Sequence, residues 1–462
     1  MSAARTRAAV ALARSANALA RLAGSGGTSL PGRLLLRLEP SALGHLAERL
    51  RAGSAVISAT NGKTTATAMA AAIFAAGGQP VLFNRSGANM AGGVAGTLLE
   101  LPGSNGAQPP LLGLFEVDEM WLAQIVDALA PRQIVLVNLF RDQLDRYGEL
   151  EEIAARWSTA LSTPPGSAAD CGLCADDPLI ADLGQAAAGP PTYFGIEDAT
   201  AASEVPFHAL DARHCRRCGA PYRFERLFVA HLGHYDCPSC GAKRPRPQIS
   251  AQQIALDGAR GSRFTLHTPA GSATVSLRVP GLYNIYNALA AATIAHIRDV
   301  PPATIARGLG SFVPAFGRAE ALALDGKELR IMLVKNPAGA TEVLRTLAGA
   351  GEQLCLLGIL NDRIADGRDV SWIWDAEVEL LAGRLTALVC SGSRAAELAL
   401  RFAYAGVERS RIAVESDLRR ALAQALAQVP PGSTLYALPT YTAMLELRRL
   451  LGRGGRSLRR GQ

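Results

Sequence analysis

A chain of 462 residues exceeds what one hydrophobic core accommodates, so two or three domains are expected. With 49% hydrophobic and 19% charged residues it reads as globular, and the lack of any uncharged apolar run of about 18 residues argues against a membrane-spanning helix. The formal charge of +7 is carried mostly by scattered arginines without interleaved aromatics, which excludes a nucleic-acid-binding cluster.

The N-terminal stretch, residues 1–47, reads as a helical extension. Met1 to Leu38 contains no acidic residue, and Arg7, Arg14 and Arg21 recur every seven residues, along one helical stripe. A helix packed on its own protein with solvated arginines is the favoured reading, and contact with an anionic membrane face is the rival one. Ala55–Ser58 is a short apolar run entering a Gly-containing turn, followed by helix-forming residues from Thr65 to Ala76. Leu111–Val117 and Gln133–Leu139 are further buried-strand candidates, each followed by a helical pattern, as a parallel α/β sheet requires. Residues 206–247 form a Cys-, His- and Arg-containing insert. Antiparallel strands are expected from Gln253 to Val279 and an Ala-rich helix from Asn284. This first α/β unit spans residues 48–315. A second, Rossmann-like, spans 316–462, with strands near Leu329–Val334, Gln353–Leu360 and Ala387–Val389 and a disordered Gly/Arg tail from Gly452.

The segment Ala59-Thr60-Asn61-Gly62-Lys63-Thr64-Thr65 is the strongest chemical signal. A Gly-bearing turn between strand and helix lets backbone N–H groups approach phosphate oxygens, and the helix N-terminus adds a favourable dipole. Lys63 would neutralise terminal phosphates and Thr64 would offer a hydroxyl to Mg²⁺. The chain contains only four lysines, Lys63, Lys243, Lys327 and Lys335, so a lysine after Gly62 suggests a need for a compact cation. Magnesium needs oxygen ligands, and the end of the next strand supplies Glu116, Asp118 and Glu119.

Cys215 and Cys218, then Cys237 and Cys240 after 18 intervening residues, each pair followed by glycine, have zinc-ribbon spacing. Four thiolates leave no open coordination position, so such a zinc is structural. Cys171 and Cys174 lack a second pair and read as buried apolar thiols, and no nucleophile elbow surrounds Cys355 or Cys390.

These residues and their order resemble the Mur ligase superfamily, whose loop reads Gly-Thr-Asn-Gly-Lys-Thr where this chain has Ala59 first. Asn138-Leu-Phe-Arg-Asp142, Gly281-Leu-Tyr-Asn284-Ile-Tyr-Asn287 and Phe316-Gly317-Arg318 follow in the matching order. Ser86-Gly-Ala-Asn89-Met90, Lys335-Asn-Pro-Ala-Gly339 and Asp366-Gly-Arg-Asp369-Val-Ser-Trp are similar to the MurT branch. The resemblance implies an ATP-binding parallel-sheet domain with a zinc-ribbon insertion and a C-terminal α/β domain. It implies Glu116 as a magnesium ligand, Asn287 as an adenine contact, Arg318 as a phosphate contact, and Asp369 as completing the catalytic triad of a partner glutaminase. Lys335, Asn336 and Pro439–Thr442 are left as nucleotide or substrate contacts, or as buried turn residues.

The activity implied is ATP-dependent amidation of the D-glutamate α-carboxylate in the lipid II stem peptide through an acyl phosphate, with ammonia from a GatD-like glutaminase subunit. That work would be cytoplasmic, at or near the inner face of the membrane, with lipid II as substrate. Many amino-acid-adding Mur ligases carry a carbamylated lysine in the central domain, yet no lysine occurs here between Lys63 and Lys243. The alternatives are an amino-acid-adding Mur or folylpolyglutamate-type ligase, and a zinc-ribbon binding module with a regulatory nucleotide site.

Overall fold

The computed structural model describes residues 3–22, 29–85, 87–101, 110–142, 150–203, 210–314, 318–324, 326–349 and 353–458. Ser86 and Phe316–Gly317, quoted above for the family likeness, lie outside the described residues.

Three adjacent strands with every residue buried lie towards one side of the larger sheet: β1 (Ser54–Ser58), β3 (Leu112–Val117) and β4 (Gln133–Leu136), with the short β2 (Val81–Phe83) at the edge beside β3. Near-continuous burial is what strands covered on both faces require. The sheet continues through β5 (Asp170–Cys174), β6 (Thr192–Ile196), β9 (Ile249–Asp257), β10 (Gly261–Thr268) and β11 (Gly271–Leu277). Among the described residues it has nine strands in the order β11-β10-β9-β6-β5-β4-β1-β3-β2, parallel from β2 to β9 and antiparallel beyond. Because β1 lies between β3 and β4, the strand order reverses at its carboxyl end, where ligands of open α/β sheets bind.

The Lys63–Ala76 helix packs on this sheet beside the helices Leu282–Ile297 and Pro302–Ser311, which contact the sheet as well. Gly308 makes the second packing possible, since a Cβ there would lie 2.4 Å from the Cα of Ile73. The insert between β6 and β9 is a hairpin, β7 (Arg223–Val229) and β8 (Leu232–Asp236), flanked by the paired cysteines.

The second sheet contains β12 (Arg318–Leu324), β13 (Lys327–Met332), β14 (Leu354–Ile359), β15 (Leu385–Ser391), β16 (Ile412–Val414) and β17 (Thr434–Pro439), ordered β12-β13-β17-β14-β15-β16. Among the described residues only the β12–β13 pair of this sheet is antiparallel. The Tyr441–Leu458 helix runs through Gly452, where the sequence pointed to a disordered tail. Residues beyond Leu458 lie outside the described ones.

At the N-terminus the Ala3–Leu22 helix packs on the Ser29–Leu38 helix, which in turn lies against the Ala91–Leu98 helix. Arg14 turns inward, its guanidinium donating to the carbonyls of Leu99 and Leu101, just beyond the C-terminal end of that last helix. The side chains of Arg7 and Arg21 lie outside the described residues.

Candidate active site and metal centre

The loop after β1 is fixed before any ligand enters it. Gly62 has φ +93°, and a Cβ at that position would lie 1.9 Å from Asn287 Oδ1, so only glycine fits between loop and helix. The helix starts at Lys63, two residues earlier than the sequence suggested, because the glycine completes the turn. Asn138, just past β4, clamps Asn61 from both sides of its backbone: Asn61 N donates to Asn138 Oδ1 at 2.9 Å, and Asn138 Nδ2 donates to Asn61 O at 3.0 Å. Thr60 Oγ1 accepts from Phe140 N at 3.1 Å. Asn287 is buried, donates through Nδ2 to Asn284 Oδ1 at 3.0 Å, and lines the cavity beside Gly62.

Lys63 is buried, and its Nζ donates to Glu119 Oε2 at 2.8 Å and to Ala59 O at 2.9 Å. Burial opposes the ammonium charge, but the carboxylates of Glu119, Asp118 and Glu116 outweigh it and hold the Lys63 pKa above the ordinary lysine value. Burial likewise opposes the Glu119 charge, and Lys63 and Lys335 overcome it to hold that carboxyl below the ordinary glutamate value. Trp157 Nε1 anchors the Glu119 carbonyl at 2.9 Å.

Glu116 is wholly buried on β3, its backbone gripped by Asn84 at the end of β2: Glu116 N donates to Asn84 Oδ1 at 3.0 Å, and Asn84 Nδ2 donates to Glu116 O at 2.9 Å. The point a Cβ would occupy on Gly87 lies 3.5 Å from Glu116 Oε1 and 3.8 Å from Thr64 Oγ1. The two oxygens therefore face one small space beside the loop, a hard-oxygen donor set that fits Mg²⁺.

The second domain closes over the loop. Lys335 Nζ donates to Asp142 Oδ2 and, at 3.2 Å, to Thr60 O. The amides of Asn336 and Asn61 exchange two hydrogen bonds of 3.0 and 3.1 Å. Asn336 also caps the Pro337–Ala348 helix, its Oδ1 accepting from Gly339 N at 2.9 Å. Between the domains lies a cavity of about 620 Å³, walled by the loop, Asp118, Tyr283 and Asn287 on one side and by Lys335, Glu342 and Tyr441 from the second domain. Its size suits a nucleotide and part of a second substrate. Arg318 opens β12, but its side chain lies outside the described residues.

The sulfurs of Cys215, Cys218, Cys237 and Cys240 all lie within 4.8 Å of one another. Cys215 Sγ and Cys240 Sγ are 3.6 Å apart, and Cys218 Sγ and Cys237 Sγ 3.5 Å. A tetrahedral shell with bonds of ~2.3 Å separates sulfurs by roughly 3.8 Å, whereas a disulfide needs about 2.0 Å, so the cluster fits zinc. Each pair forms a tight turn: Gly219 N donates to Cys215 O at 2.7 Å, and Gly241 N donates to Cys237 O at 3.0 Å. At the opposite end of the hairpin, His231 is fully buried beside Phe140, its Nε2 3.3 Å from Asp177 Oδ2. Val229 and Leu232 flank it on the cavity wall, tying the ribbon to the site. Cys171 and Cys174 are buried thiols, the first with its pKa pushed up to about 11 by burial and Asp170.

Asp369 stands apart from the cavity, exposed, its Oδ1 accepting from Ser371 N at 2.8 Å. That hydrogen bond holds the carboxyl below the ordinary aspartate value. Asp366 is buried and accepts from Thr442 N at 2.7 Å. The loop between β14 and Asp369 also carries Ile364 and Ala365 on the cavity wall. Asn84 and Glu342 escaped the sequence reading: nothing near Asn84 signals that it braces a neighbouring strand, and Glu342 is one glutamate within an amphipathic helix.

Comparison with known proteins places this geometry. The MurT ligase C-terminal family model matches residues 333–444. The chain is 33% identical over 426 residues to the lipid II isoglutaminyl synthase (glutamine-hydrolyzing) subunit MurT of Streptococcus pneumoniae, covering 92% of each chain. It is 31% identical to the subunit of the same name from Staphylococcus aureus strain N315, covering 97% of this chain and 99% of that one. Among solved structures, a pseudomurein peptide ligase type C from Methanothermus fervidus superposes with a TM-score of 0.67 at 22% identity, covering 88% of this chain and 80% of that one. MurF from Acinetobacter baumannii superposes with a TM-score of 0.63 at 17% identity, covering 90% and 79%. At such identities these two likenesses speak for the fold alone.

Proposed function

Since the chain belongs to the MurT family of Mur-ligase-like subunits, we propose that it amidates the α-carboxylate of D-glutamate in the lipid II stem peptide to D-isoglutamine, a step of peptidoglycan biosynthesis. The observation that carries this reading is the loop at residues 59–65, with Lys63 set among Glu116, Asp118 and Glu119 at the wall of an interdomain cavity.

A carboxylate does not condense with ammonia at neutral pH, because its oxide is a poor leaving group. In the proposed reaction a carboxylate oxygen attacks the γ-phosphorus of ATP and ADP departs. Ammonia then attacks the carbonyl carbon of the acyl phosphate, phosphate leaves, and a proton is released. Lys63 would turn from Glu119 towards the phosphates, and the N–H groups around Gly62 would hold them in line. Thr64 and Glu116 would hold Mg²⁺, which, when bound, spreads the charge that develops on the phosphoryl oxygens. Arg318 would contact phosphate from between the domains, and Asn287 would contact the base. The four cysteines would hold a structural zinc.

Ammonia is mostly protonated at neutral pH, so its delivery from a docked glutaminase is chemically useful. The reading takes a GatD-like subunit as that partner, with Asp369 orienting its catalytic histidine. The loop that leads from Ile364 and Ala365 at the cavity to Asp369 at the surface supports this. The enzyme would work in the cytoplasm, at the membrane face where lipid II is presented. Among the described residues no helix is long and apolar enough to cross a membrane.

Co-expression with a glutaminase, then mass analysis of lipid II incubated with ATP and glutamine, tests the proposal. Replacement of one hydroxyl by an amino group per stem peptide is expected. Gain of a whole amino-acid residue would point instead to an amino-acid-adding ligase.

A further inference from the structure

The phosphate chemistry leaves one carboxyl group of the cavity unused. Glu342, on the Pro337–Ala348 helix, lines the cavity yet is only 5% exposed, and its Oε1 has no hydrogen-bonding partner among the described residues. A buried polar atom without a partner costs free energy, and in a ligand cavity it commonly awaits the ligand.

Its position along the helix indicates which part of a nucleotide it would meet. One turn before it, a Cβ on Gly339 would lie 3.5 Å from Asn61 Nδ2 of the phosphate loop. One turn after it, Thr346 Oγ1 lies 2.8 Å from the point a Cβ would occupy on Gly281, where the Leu282–Ile297 helix begins. Glu342 therefore faces the stretch of cavity that leads away from the triphosphate loop towards Tyr283. Apolar Val229, Leu232, Val279 and Val343 contribute to the same cavity wall. A flat base suits such surroundings, and a lone polar group in them fixes its orientation.

We propose that Glu342 reads the base of the nucleotide: its carboxyl group, in the acid form, accepts from the exocyclic amine of adenine and donates to the adjacent ring nitrogen, selecting ATP over GTP. Guanine offers two acceptors, O6 and N7, along the corresponding edge, and leaves the carboxyl oxygen facing a carbonyl. The acid form is the one the surroundings favour. Burial lifts the Glu342 pKa to about 8, with Arg345 on the same helix opposing and Glu377 assisting. Arg345 is already engaged, donating to Glu377 Oε2 and to Ser203 Oγ at 2.7 Å each. The phenols of Tyr283 and Tyr286 line the cavity from the facing helix, and Tyr286 is already engaged, its hydroxyl donating to Asp176 Oδ2 at 2.7 Å.

The inference rests on the nucleotide reading of the cavity, and the test separates the two. Binding of Mg²⁺-loaded non-hydrolysable ATP and GTP analogues, and of inorganic tripolyphosphate, is measured by calorimetry on the full-length chain. Glu342→Gln, whose amide keeps a donor beside an acceptor, is expected to hold ATP within about threefold of wild type. Glu342→Leu is expected to lose roughly tenfold to a hundredfold in ATP affinity, with tripolyphosphate unchanged and discrimination against GTP collapsed. As pH rises from 7 to 9, ATP affinity of the wild type relative to Glu342→Gln falls by roughly tenfold, and this ratio needs no apolar variant to fold. A leucine variant that binds both analogues like wild type, or a flat ratio across that pH range, overturns the assignment while leaving the phosphate site standing. Wild-type protein that binds neither nucleotide nor tripolyphosphate overturns both.

Discussion

Lys63 donates to Glu119 at 2.8 Å, with side chains 10% and 4% exposed, so the cation of the phosphate loop is held by a carboxylate from the end of a neighbouring strand. Removing one partner strands the other in a dry site. Lys63→Met should cost about 3–5 kcal/mol in denaturant unfolding and abolish substrate-dependent phosphate release. Adding Glu119→Gln should recover most of the stability and none of the turnover, because the stranded charge is gone while the phosphates still lack their cation. A double variant no more stable than the single one would show that the pair is not energetically coupled.

The same pair sets a pH window. The Glu119 pKa is lowered in the folded state, so its contribution is full above the ordinary value of 4.5 and fades as pH falls through the depressed one. The Lys63 pKa is raised, so its contribution is full below the ordinary 10.5 and fades as pH rises through the elevated one. The stability gap between wild type and Lys63→Met/Glu119→Gln, followed by thermal melting, should be level between those values and narrow on acidification below 4.5.

One zinc per chain is expected by elemental analysis, and Cys218→Ser or prolonged chelation should remove it. Loss of the metal frees the hairpin that carries His231 into the core and Val229 and Leu232 onto the cavity wall. Nucleotide affinity should therefore fall by about tenfold or more, although none of the four cysteines lines the cavity. Unchanged nucleotide binding by metal-free protein would show that the ribbon is independent of the site.

Asn336→Ala removes both amide hydrogen bonds to Asn61 and the cap of the following helix. The expected effect is a loss of about 1–2 kcal/mol in stability, together with a higher KM for ATP and a smaller change in kcat, since the contact positions the loop. Steady-state kinetics at varied ATP separates the two parameters.

Asp369→Asn should abolish glutamine hydrolysis by the assembled complex while leaving amidation from added ammonium salts intact. Its carboxylate is exposed and distant in role from the phosphate loop. Retained glutaminase activity would reject the triad role.

Much of this architecture was legible in the residues because its chemistry is local. A glycine at a positive φ and two paired-cysteine turns each depend on neighbours in sequence, and each lies where its pattern indicated, whereas the helix that opens at Lys63 begins two residues before the pattern placed it. The strands Ala55–Ser58 and Leu111–Val117 were equally plain because burial on both faces leaves unbroken apolar runs. β17 was not read as a strand, although it pairs on both sides in the middle of its sheet: six residues ending in Pro439 carry no periodicity of their own. Asn84 and the grip of Glu119 on Lys63 were hidden for a similar reason, since each exists only once distant strands are aligned. The inward turn of Arg14 could not be separated from a solvated stripe, because heptad spacing fixes a face of the helix without saying what covers it.

The helix Ala91–Leu98 has its two ends in different hands. Asn89 and Met90, at its start, line the cavity, while Arg14 reaches the carbonyls just beyond its finish. Along its flank a Cβ on Gly32 would come within 1.9 Å of Gly92 O, so the crossing is backbone against backbone and admits no sliding. Eight residues thus connect the leading segment of the chain to the wall of the cavity between the two sheets. A side chain introduced at Gly32 should therefore be felt at Asn89 and Met90, a helix's length away.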